Sequence, residues 1–332
     1  MSSDDAEFVV VGAGISGLAV AGALRDRGRS VVVVDKANGV GGRCATRRLE
    51  GQPVDLGPAF LHGSNPAFVE RLRALPADER VDGWPHRVAG PGGPCQARAL
   101  DPGELRIALR SGLTALPKAL AAGLRVELGS AIPPLRRNGG QWVVGERRAE
   151  AVILAVPAAQ ARALLAAVED DAVRSASALL GFTQAVPCLC LAALYPLDTP
   201  DPGFDLFQPG LDSPLQLVSH DSTKRRDPAH RALVLQGRPA WSRARLDAPP
   251  AGWAAELLGA AASSVGPWVE RPTVTHPHRW RFARLDQTPP LRHPVVIGAG
   301  PRLGLAGEAF SELGGIQGAY LSGIELAARL LE

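Results

Sequence analysis

The chain has 332 residues and a formal net charge of +3, with 36 Lys and Arg against 33 Asp and Glu and 46% hydrophobic residues. This length exceeds one compact core and predicts two domains, or one domain interrupted by another. The basic residues are scattered among acids and form no basic run interleaved with aromatic rings, so the composition argues against nucleic-acid binding.

The longest apolar stretch, residues 185–197, contains two prolines and is too short to span a bilayer. The acidic N-terminus lacks the apolar core of a secretory signal. Cys44, Cys95, Cys188 and Cys190 form neither a disulfide framework nor a zinc-ligand spacing. We therefore expect a cytoplasmic protein with no membrane segment and no metal site, in which Cys188 and Cys190 share one strand face in the core.

Residues 7–43 contain the strongest pattern. Residues 8–11 are an apolar run typical of a buried parallel strand, and they lead into Gly12-Ala13-Gly14-Ile15-Ser16-Gly17. In such a loop the first glycine permits a tight turn, the second lets a pyrophosphate approach, and the third lets the helix pack on the strand. A second strand, 31–34, ends at Asp35, which is placed to accept ribose hydroxyls. The order predicts a dinucleotide site.

The residues after Asp35 and Lys36 indicate which dinucleotide is bound. Gly41-Gly42-Arg43 resembles the second fingerprint of flavoprotein amine oxidases and their relatives, in which this loop folds over the pyrophosphate. Bare glycine amides and a planar guanidinium suit a diphosphate. The resemblance implies FAD rather than NAD, bound without a covalent link.

Residues 54–63, VDLGPAFLHG, resemble the segment that passes under the isoalloxazine ring in the same superfamily. Gly57 would allow close backbone approach to the ring, with Ala59 and Phe60 beside it. In several relatives an HG pair at this position lines the active site, so His62 is a candidate acid or base. An ordinary loop histidine is the alternative.

Apolar periodicity and turn residues predict the elements that follow. They are a helix at 65–74, a loop or ribbon at 76–102, a helix at 113–121, a strand at 124–128, a strand at 142–144 after the 138–140 turn, and a buried strand at 151–157 with a helix to about 167.

From about residue 175 to 289 short apolar strands alternate with turns, at 188–195, 215–219 and 232–236, and one helix is predicted at 252–264. This pattern favours a mostly antiparallel sheet forming a substrate domain. The motifs HDSTK at 220–224, PAWS at 239–242 and HRWRFA at 278–283, together with GGRCATRR at 41–48, resemble the renalase-like bacterial flavoproteins.

Residues 295–301, VVIGAGP, leave too little chain for a second Rossmann unit, so we expect a returning strand there. Gly307-Glu308 is similar to the superfamily's Ala-Gly-Asp step, whose acid binds the ribityl and diphosphate region. Gly315, Ile316 and Ala319 open a last helix at 317–331. The resemblance implies that its N-terminus points at flavin N1 and the C2 carbonyl, where the helix dipole stabilises negative charge on reduced flavin.

The expected fold is therefore α/β, with a Rossmann-like FAD-binding domain of the glutathione-reductase and amine-oxidase type and an inserted α+β substrate domain built on a mostly antiparallel sheet. The first is assigned residues 1–60, 100–165 and 290–332, and the second 61–99 and 166–289. The expected FAD-binding residues are Gly12, Gly14, Ile15, Ser16, Gly17, Asp35, Lys36, Gly41, Gly42, Arg43, Gly57, Ala59, Phe60, Gly307, Glu308, Gly315, Ile316 and Ala319.

The resemblance implies an FAD-dependent oxidoreductase that takes a hydride from a small-molecule substrate to flavin N5 and passes electrons to O2. The chain has three lysines, Lys36, Lys118 and Lys224, and none matches the lysine that holds a water near N5 in amine oxidases. This favours the renalase-like group, which oxidises dihydronicotinamide isomers. An amine oxidase or desaturase of the same fold and a non-catalytic flavin-binding protein stay open as alternatives. Trp280 is a candidate for substrate contact, and equally for the core.

Overall fold

The computed structural model describes residues 6–94, 98–286 and 291–332. Cys95 and residues 1–5, on which the expectation about a secretory signal rests, lie outside the described residues. The chain forms two compact units, one of residues 1–42, 116–185 and 285–332 and the other of residues 43–115 and 186–284. Each unit is built around its own sheet.

The strands are β1 (Ala6–Val11), β2 (Val31–Val34), β3 (Thr46–Leu49), β4 (Gln52–Asp55), β5 (Leu61–Gly63), β6 (Arg80–Asp82), β7 (Val88–Ala89), β8 (Leu105–Leu109), β9 (Arg125–Glu127), β10 (Arg136–Asn138), β11 (Gln141–Val144), β12 (Arg147–Leu154), β13 (Ala185–Tyr195), β14 (Leu206–Phe207), β15 (Leu215–His220), β16 (Arg231–Gly237), β17 (Val274–Leu285), β18 (Val295–Ile297) and β19 (Arg302–Leu305). The helices are α1 (Ile15–Arg25), α2 (Pro66–Arg73), α3 (Ala115–Ala121), α4 (Ala158–Leu165), α5 (Asp171–Gly181), α6 (Pro239–Ala244), α7 (Pro250–Val265) and α8 (Gly315–Leu331).

The first unit has a mainly parallel sheet centred on β1. Strand β1 pairs in parallel with β2 on one side and β12 on the other, and β9 extends the sheet beyond β2. The hairpin β10–β11 lies beside the first half of β12, while β19 pairs in parallel with its second half. The returning strand is thus β19, and the 295–297 run is an antiparallel strand on its outer edge.

Alternation along β1 sends side chains to two separate cores, as the period of two in a strand requires. Phe8 and Val10 pack with Leu18 of α1 and Leu326 of α8. Val9 and its neighbours on the other face pack in the cluster that includes residues of α4 and α5. The sheet is covered on both faces, which explains the unbroken apolar sequence of β1 and β2.

Helices α1 and α8 approach each other closely because glycine and small residues meet at their crossing. A Cβ atom on Gly323 would lie 2.5 Å from the carbonyl oxygen of Ser16 and 2.9 Å from the Cβ of Ala19. The hydroxyls of Ser16 and Ser322 lie 3.4 Å apart at the same crossing. This contact fixes the N-terminal end of α1 against α8.

The second unit contains a six-stranded sheet in the order β17–β13–β16–β15–β14–β7. The pairs β13–β16, β15–β16 and β14–β15 are antiparallel, as expected, and β14–β7 is parallel. A three-stranded sheet, β5–β8–β6, and the hairpin β3–β4 complete the unit.

The two faces of the large sheet pack against different parts of the second unit. Leu191, Leu233 and their neighbours pack against Trp253 and Leu257 of α7. On the other face Cys190 and Ala192 pack against Val54 and Leu56, so the sheet supports the segment after β4. Cys190 is buried as expected, whereas Cys188 is half-buried.

The unit boundaries differ from the sequence assignment at residues 43–60 and 100–115, which group with the second unit, and at residues 166–185 and 285–289, which group with the first. The reason is pairing between distant segments. Strand β8 pairs with both β5 and β6, the Thr46 amide donates to Thr114 Oγ1, and the Leu113 amide donates to Asp55. None of these partners is adjacent in sequence, so composition carries no signal of the boundary.

Among the described residues, no helix is both long enough and apolar enough to cross a membrane.

Candidate functional site

Gly12 and Gly14 lie in the turn between β1 and α1 and Gly17 lies in the first turn of α1, and each position is glycine for a different reason. A Cβ on Gly12, whose φ is +112°, would lie 2.6 Å from the carbonyl oxygen of Ala155, and one on Gly17 would lie 1.9 Å from the carbonyl oxygen of Gly12. Both positions are therefore dictated by the fold. A Cβ on Gly14 would meet no described atom within 4 Å. The chain itself does not require glycine at position 14, so this bare backbone fits a bound group that approaches closely.

Asp35 at the end of β2 is oriented by backbone amides. The amide of Ala13 donates to one carboxylate oxygen at 2.7 Å, and the amide of Ala37 donates to the other at 2.8 Å. The amide of Gly41 donates to the carbonyl of Ala13, which brings the second glycine turn beside the first. The first unit thus brings Asp35, Gly41 and the glycine loop together. Lys36 is exposed.

The C-terminal segment joins the same region through Ser322. Its hydroxyl accepts from the amide of Gly307 at 2.8 Å and lies beside Ser16. Glu308 is buried, and its Oε1 accepts from the amide of Leu285 at 2.8 Å. The longer acid at this position therefore holds the backbone at the end of β17.

Both α1 and α8 begin at a glycine, Gly14 and Gly314, and no described side chain caps either helix or places an acid in its first turn. The first amides of an α-helix have no intrahelical partner and form an anion-binding end. Ile15, Gly315 and Ile316 lie in these first turns, and Ala319 lies one turn further along α8. The bare backbone of Gly14 and the N-termini of α1 and α8 suit the phosphates of a dinucleotide. The oriented carboxylate of Asp35 suits its ribose.

In the second unit, Gly57 is explained by a contact that sequence reasoning missed. A Cβ on Gly57 would lie 1.9 Å from the carbonyl oxygen of Arg43. The glycine is required because the backbone of Arg43 packs on it, whether or not a ring approaches. The Arg43 guanidinium donates to the carbonyl of Ala283 at 3.2 Å.

The two carbonyls that follow Asp55 are held by side chains from the large sheet. Trp280 Nε1 donates to the carbonyl of Leu56 at 2.8 Å, and Gln236 Nε2 donates to the carbonyl of Gly57 at 2.6 Å. These bonds fix the orientation of both peptide groups. The polar edge of Trp280 is therefore engaged with the backbone of this segment.

Asp55 belongs to a buried group of four charges, Asp55, Asp221, Lys224 and Arg225. Lys224 Nζ lies 2.7 Å from Asp221 and 3.1 Å from Asp55, and its side chain has no exposed surface. Arg225 Nη2 lies 2.5 Å from Asp221 and 3.0 Å from Asp55. Burial raises the pKa of Asp55, but the charges of Lys224 and Arg225 outweigh it, so the pKa is below its usual value.

The burial of Lys224 differs from the sequence prediction, which placed it in a polar turn. It does lie in a turn, the 3₁₀ turn of residues 221–224, but that turn is packed inside the second unit. Its ammonium also lies 4.7 Å from the ring centroid of Trp84. The Lys224 ammonium therefore contacts two carboxylates and one aromatic face.

His62 on β5 pairs with an acid that sequence analysis did not single out. Its Nδ1 lies 3.2 Å from Glu104 Oε2, and Ser64 Oγ donates to Glu104 Oε1 at 2.8 Å. The Glu104 side chain is 3% exposed and that of His62 is 18% exposed. Phe60 lies on the same segment, with its ring centroid 5.9 Å from that of His62, and Ala59 is buried beside it.

A row of aromatic rings follows one face of β17. The ring centroids of His276 and His278 lie 6.4 Å apart, and those of His278 and Trp280 lie 4.3 Å apart. The pKa of His278 is lowered to about 4, mainly by burial and further by the neighbouring His276 and Arg47. Burial and Arg47 lower the pKa of His276 as well. The row is therefore neutral at physiological pH.

Comparison with known sequences identifies the family. The sequence profile described as flavin-containing amine oxidoreductase matches residues 94–331, and the profile of an NAD(P)-binding Rossmann-like domain matches residues 10–75. The chain belongs to the flavin-containing amine oxidoreductase family. This confirms the predicted superfamily, the α/β fold class and FAD as the cofactor.

Curated relatives match over short stretches. The zeta-carotene-forming phytoene desaturase of Myxococcus xanthus is 43% identical over 74 residues, which is 22% of this chain and 14% of that protein. Polyamine oxidase 3 of Oryza sativa subsp. japonica is 44% identical over 55 residues, 17% of this chain and 11% of that protein. The matches thus span well under two thirds of these relatives.

Solved structures match the fold over nearly the whole chain. A putrescine oxidase bound to putrescine has a TM-score of 0.74 at 17% identity, covering 98% of this chain and 99% of that one. Cyclohexylamine oxidase from Brevibacterium oxydans IH-35A has a TM-score of 0.74 at 16% identity, covering 98% of both chains. At such identities the likeness concerns the fold alone.

Proposed function

We propose that the protein is an FAD-dependent oxidase of the renalase-like type, which takes a hydride from a dihydronicotinamide-type donor and passes the electrons to O2. Bound FAD supplies the hydride-accepting chemistry. Gly14, Asp35 and the first turns of α1 and α8 would hold its phosphates and ribose. The FAD is expected to be non-covalent, and a cytoplasmic location stays a prediction.

The observation that carries the choice of donor is the burial of Lys224. In the amine oxidases that the sequence resembles, a lysine ammonium holds a water at the flavin. Lys224 is the one lysine of the second unit, and its ammonium is bound to Asp55 and Asp221 with no exposed surface. Moving it would leave two buried carboxylates facing the single charge of Arg225, which costs several kcal/mol. This supports a donor whose oxidation does not use a lysine-held water.

His62 and Trp280 have different places in this proposal. His62 is partly exposed and its ring is held by Glu104, which suits a residue that lines the substrate site. Trp280 donates to the Leu56 carbonyl, which suits a residue that holds the segment bordering the flavin.

Amine oxidation or desaturation by the same fold is the second candidate, favoured by the polyamine oxidase and desaturase sequences that match in part. A flavin-binding protein without catalysis is the third.

Anaerobic reduction of the FAD-bound protein by a panel of donors tests the proposal. We expect isomers of dihydronicotinamide dinucleotides to bleach the flavin faster than di- and monoamines at equal concentration. Faster bleaching by amines would assign the protein to the second candidate. Tight FAD binding with no bleaching by any donor would assign it to the third, and a colourless protein that takes up no FAD would refute all three.

A further inference from the structure

The aromatic row on β17, formed by His276, His278 and Trp280, lies at one edge of the six-stranded sheet. Alternate residues of a strand share a face, so the row lies on the face where Val274 and Trp280 pack against the cluster that contains Leu56. The ring of Trp280 is fixed there, because its Nε1 donates to the Leu56 carbonyl at 2.8 Å. The two imidazoles, both half-buried, extend the row along the same face.

Arg47 of β3 brings a positive charge to the two imidazoles. It is opposite Val54 in the β3–β4 hairpin, and opposite residues of antiparallel strands point to the same side. Val54 packs in the cluster that Trp280 contacts, so the Arg47 side chain lies on the side of the hairpin that is turned towards β17. Burial lowers the pKa of both His276 and His278, and the charge of Arg47 lowers both further, which places that charge near both rings.

The chain itself supplies no partner for these polar groups. Among the described residues, none forms a hydrogen bond with either imidazole, and none forms a hydrogen bond or an ion pair with the Arg47 guanidinium. The Nε2 atom of His276 is buried without a partner. Unpaired buried polar atoms are rare in folded proteins. The neighbouring Arg48, in contrast, donates to the Gly51 carbonyl at 3.1 Å.

A guanidinium beside two neutral imidazoles has the chemistry of a phosphate site. The guanidinium supplies a fixed positive charge and several N–H donors, and each neutral imidazole donates one further N–H. A carboxylate is satisfied by the fork of a single guanidinium, whereas a phosphate group presents three acceptor oxygens that point in different directions. The donors on β3 and β17 therefore match a phosphate better than a carboxylate.

We propose that Arg47, His276 and His278 form a phosphate-binding site within the second unit, which takes a phosphate monoester or a diphosphate group. Arg47 supplies the counter-charge, and the two imidazoles donate hydrogen bonds to the remaining oxygens. The proposal goes beyond the reaction proposed above, because it concerns binding alone and does not depend on the hydride donor.

The test adds inorganic pyrophosphate to the FAD-bound, ¹⁵N-labelled protein at constant ionic strength and follows the histidine ring signals by NMR. Bound FAD occupies its own phosphate site, so pyrophosphate does not bind there. We expect saturable shifts of His276 and His278 and none of the exposed His86 and His293. If neither His276 nor His278 shifts saturably, the proposal is wrong. Equal shifts at all four rings would also overturn it, since they would reflect non-specific screening.

Arg47→Gln removes the counter-charge at an exposed position and should weaken pyrophosphate binding at least about tenfold, the ordinary loss of a charge-assisted hydrogen bond. Arg48→Gln is the matched control. It makes the same change in net charge at the next residue, which points to the other side of β3, and should change the affinity less than about twofold. Equal losses in the two variants would refute the proposal, because net charge alone would explain them.

His276→Phe keeps a ring in the row but has no N–H donor. It should weaken pyrophosphate binding several-fold while the thermal melt stays close to that of wild type. Wild-type affinity in this variant would remove His276 from the site and contradict the proposal as stated. If the variant does not fold, the wild-type titration and Arg47→Gln still test the site.

A titration with ADP-ribose identifies the source of the phosphate. ADP-ribose carries the diphosphate of a dinucleotide but has no nicotinamide ring. If it shifts the same two histidines and displaces pyrophosphate, the site takes the diphosphate of a nucleotide. If only pyrophosphate binds, the site takes inorganic phosphates. Neither titration reduces the flavin, so failure of the phosphate site and failure of the proposed donor are separate results.

Discussion

Gly14, just before α1, and Gly17, in its first turn, allow effects on cofactor binding and on folding to be measured separately. A methyl group at position 14 meets open space, whereas one at position 17 meets the Gly12 carbonyl. Gly14→Ala should therefore leave the melting temperature of the FAD-free protein within a few degrees of wild type but weaken FAD binding at least tenfold, because the methyl group would occupy the proposed phosphate site. Gly17→Ala should lower stability itself.

Isothermal titration with FAD and thermal melts of the FAD-free proteins measure the two effects. Gly39→Ala is the control, because a Cβ on this exposed glycine also meets nothing within 4 Å. If Gly14→Ala binds FAD as tightly as Gly39→Ala does, the open space at position 14 is not the phosphate site.

The buried group of four charges gives a second prediction at this scale. Lys224→Met keeps an unbranched side chain of similar length but leaves two buried carboxylates facing one arginine. We expect a loss of about 3–5 kcal/mol in the free energy of unfolding, the usual cost of breaking a buried ion pair on one side. Denaturant titration measures it. Lys118→Met, at an exposed position, should change stability by less than about 0.5 kcal/mol, and a similar loss in both variants would contradict the explanation.

At the scale of elements, the crossing of α1 and α8 depends on one glycine. Gly323→Ala would bring a methyl group to 2.5 Å from the Ser16 carbonyl, so the helices must separate. We expect a loss of about 1–3 kcal/mol, as in other overpacked sites. Ser16 and Ser322 lie at the same crossing, so FAD affinity should fall as well.

Gly22→Ala in α1 is the matched control, because a Cβ there meets nothing within 4 Å. In a helix interior this change should stabilise by about 0.5–1 kcal/mol. Denaturant titrations of both variants measure the change in the free energy of unfolding. If both variants are more stable than wild type, helix propensity and not the crossing controls stability at Gly323.

The elements of the proposed dinucleotide site could be predicted because their signals are local. The strand, glycine turn, helix and Asp35 all lie within residues 6–35, and the structure places Asp35 at the loop through the Ala13 amide. The bonds that hold the segment after β4 could not be predicted. Gln236 and Gly57 are 179 residues apart, and Glu104 is 42 residues from His62. Such pairs depend on which strands become neighbours, and no single stretch of sequence carries that information.

The structure also gives a different reason for the glycine at position 57. Gly57 is a glycine because Arg43 packs on it, so its presence alone does not indicate a flavin. The burial of Lys224 was equally hidden, because a run of polar residues in a turn is usually solvated, whereas here the charges neutralise one another inside the unit.

For the whole molecule, three histidines whose pKa burial lowers predict how stability depends on pH. Folding lowers the pKa of His278 from 6.5 to about 4, and lowers those of His276 and His220. Between pH 6.5 and 4, the unfolded chain therefore binds more protons at these histidines than the folded chain does. The free energy of unfolding is at its full value above pH 6.5 and falls as the pH drops towards 4.

Denaturant titrations between pH 4 and 7 measure this slope. His278→Asn should flatten it, because the side chain no longer titrates. His86→Asn removes an exposed histidine from the same unit and controls for the loss of one imidazole. If both variants flatten the slope equally, burial of His278 is not its cause.

The different reasons for the glycines have a consequence for reading related sequences. Drift in a lineage that no longer needs the cofactor should erode position 14 first, since selection for folding does not act on it. Positions 12, 17 and 57 should persist, because each accommodates a carbonyl of the same chain. A descendant with a side chain at position 14 and glycine at the other three would be a pseudoenzyme: an intact scaffold that has given up its nucleotide.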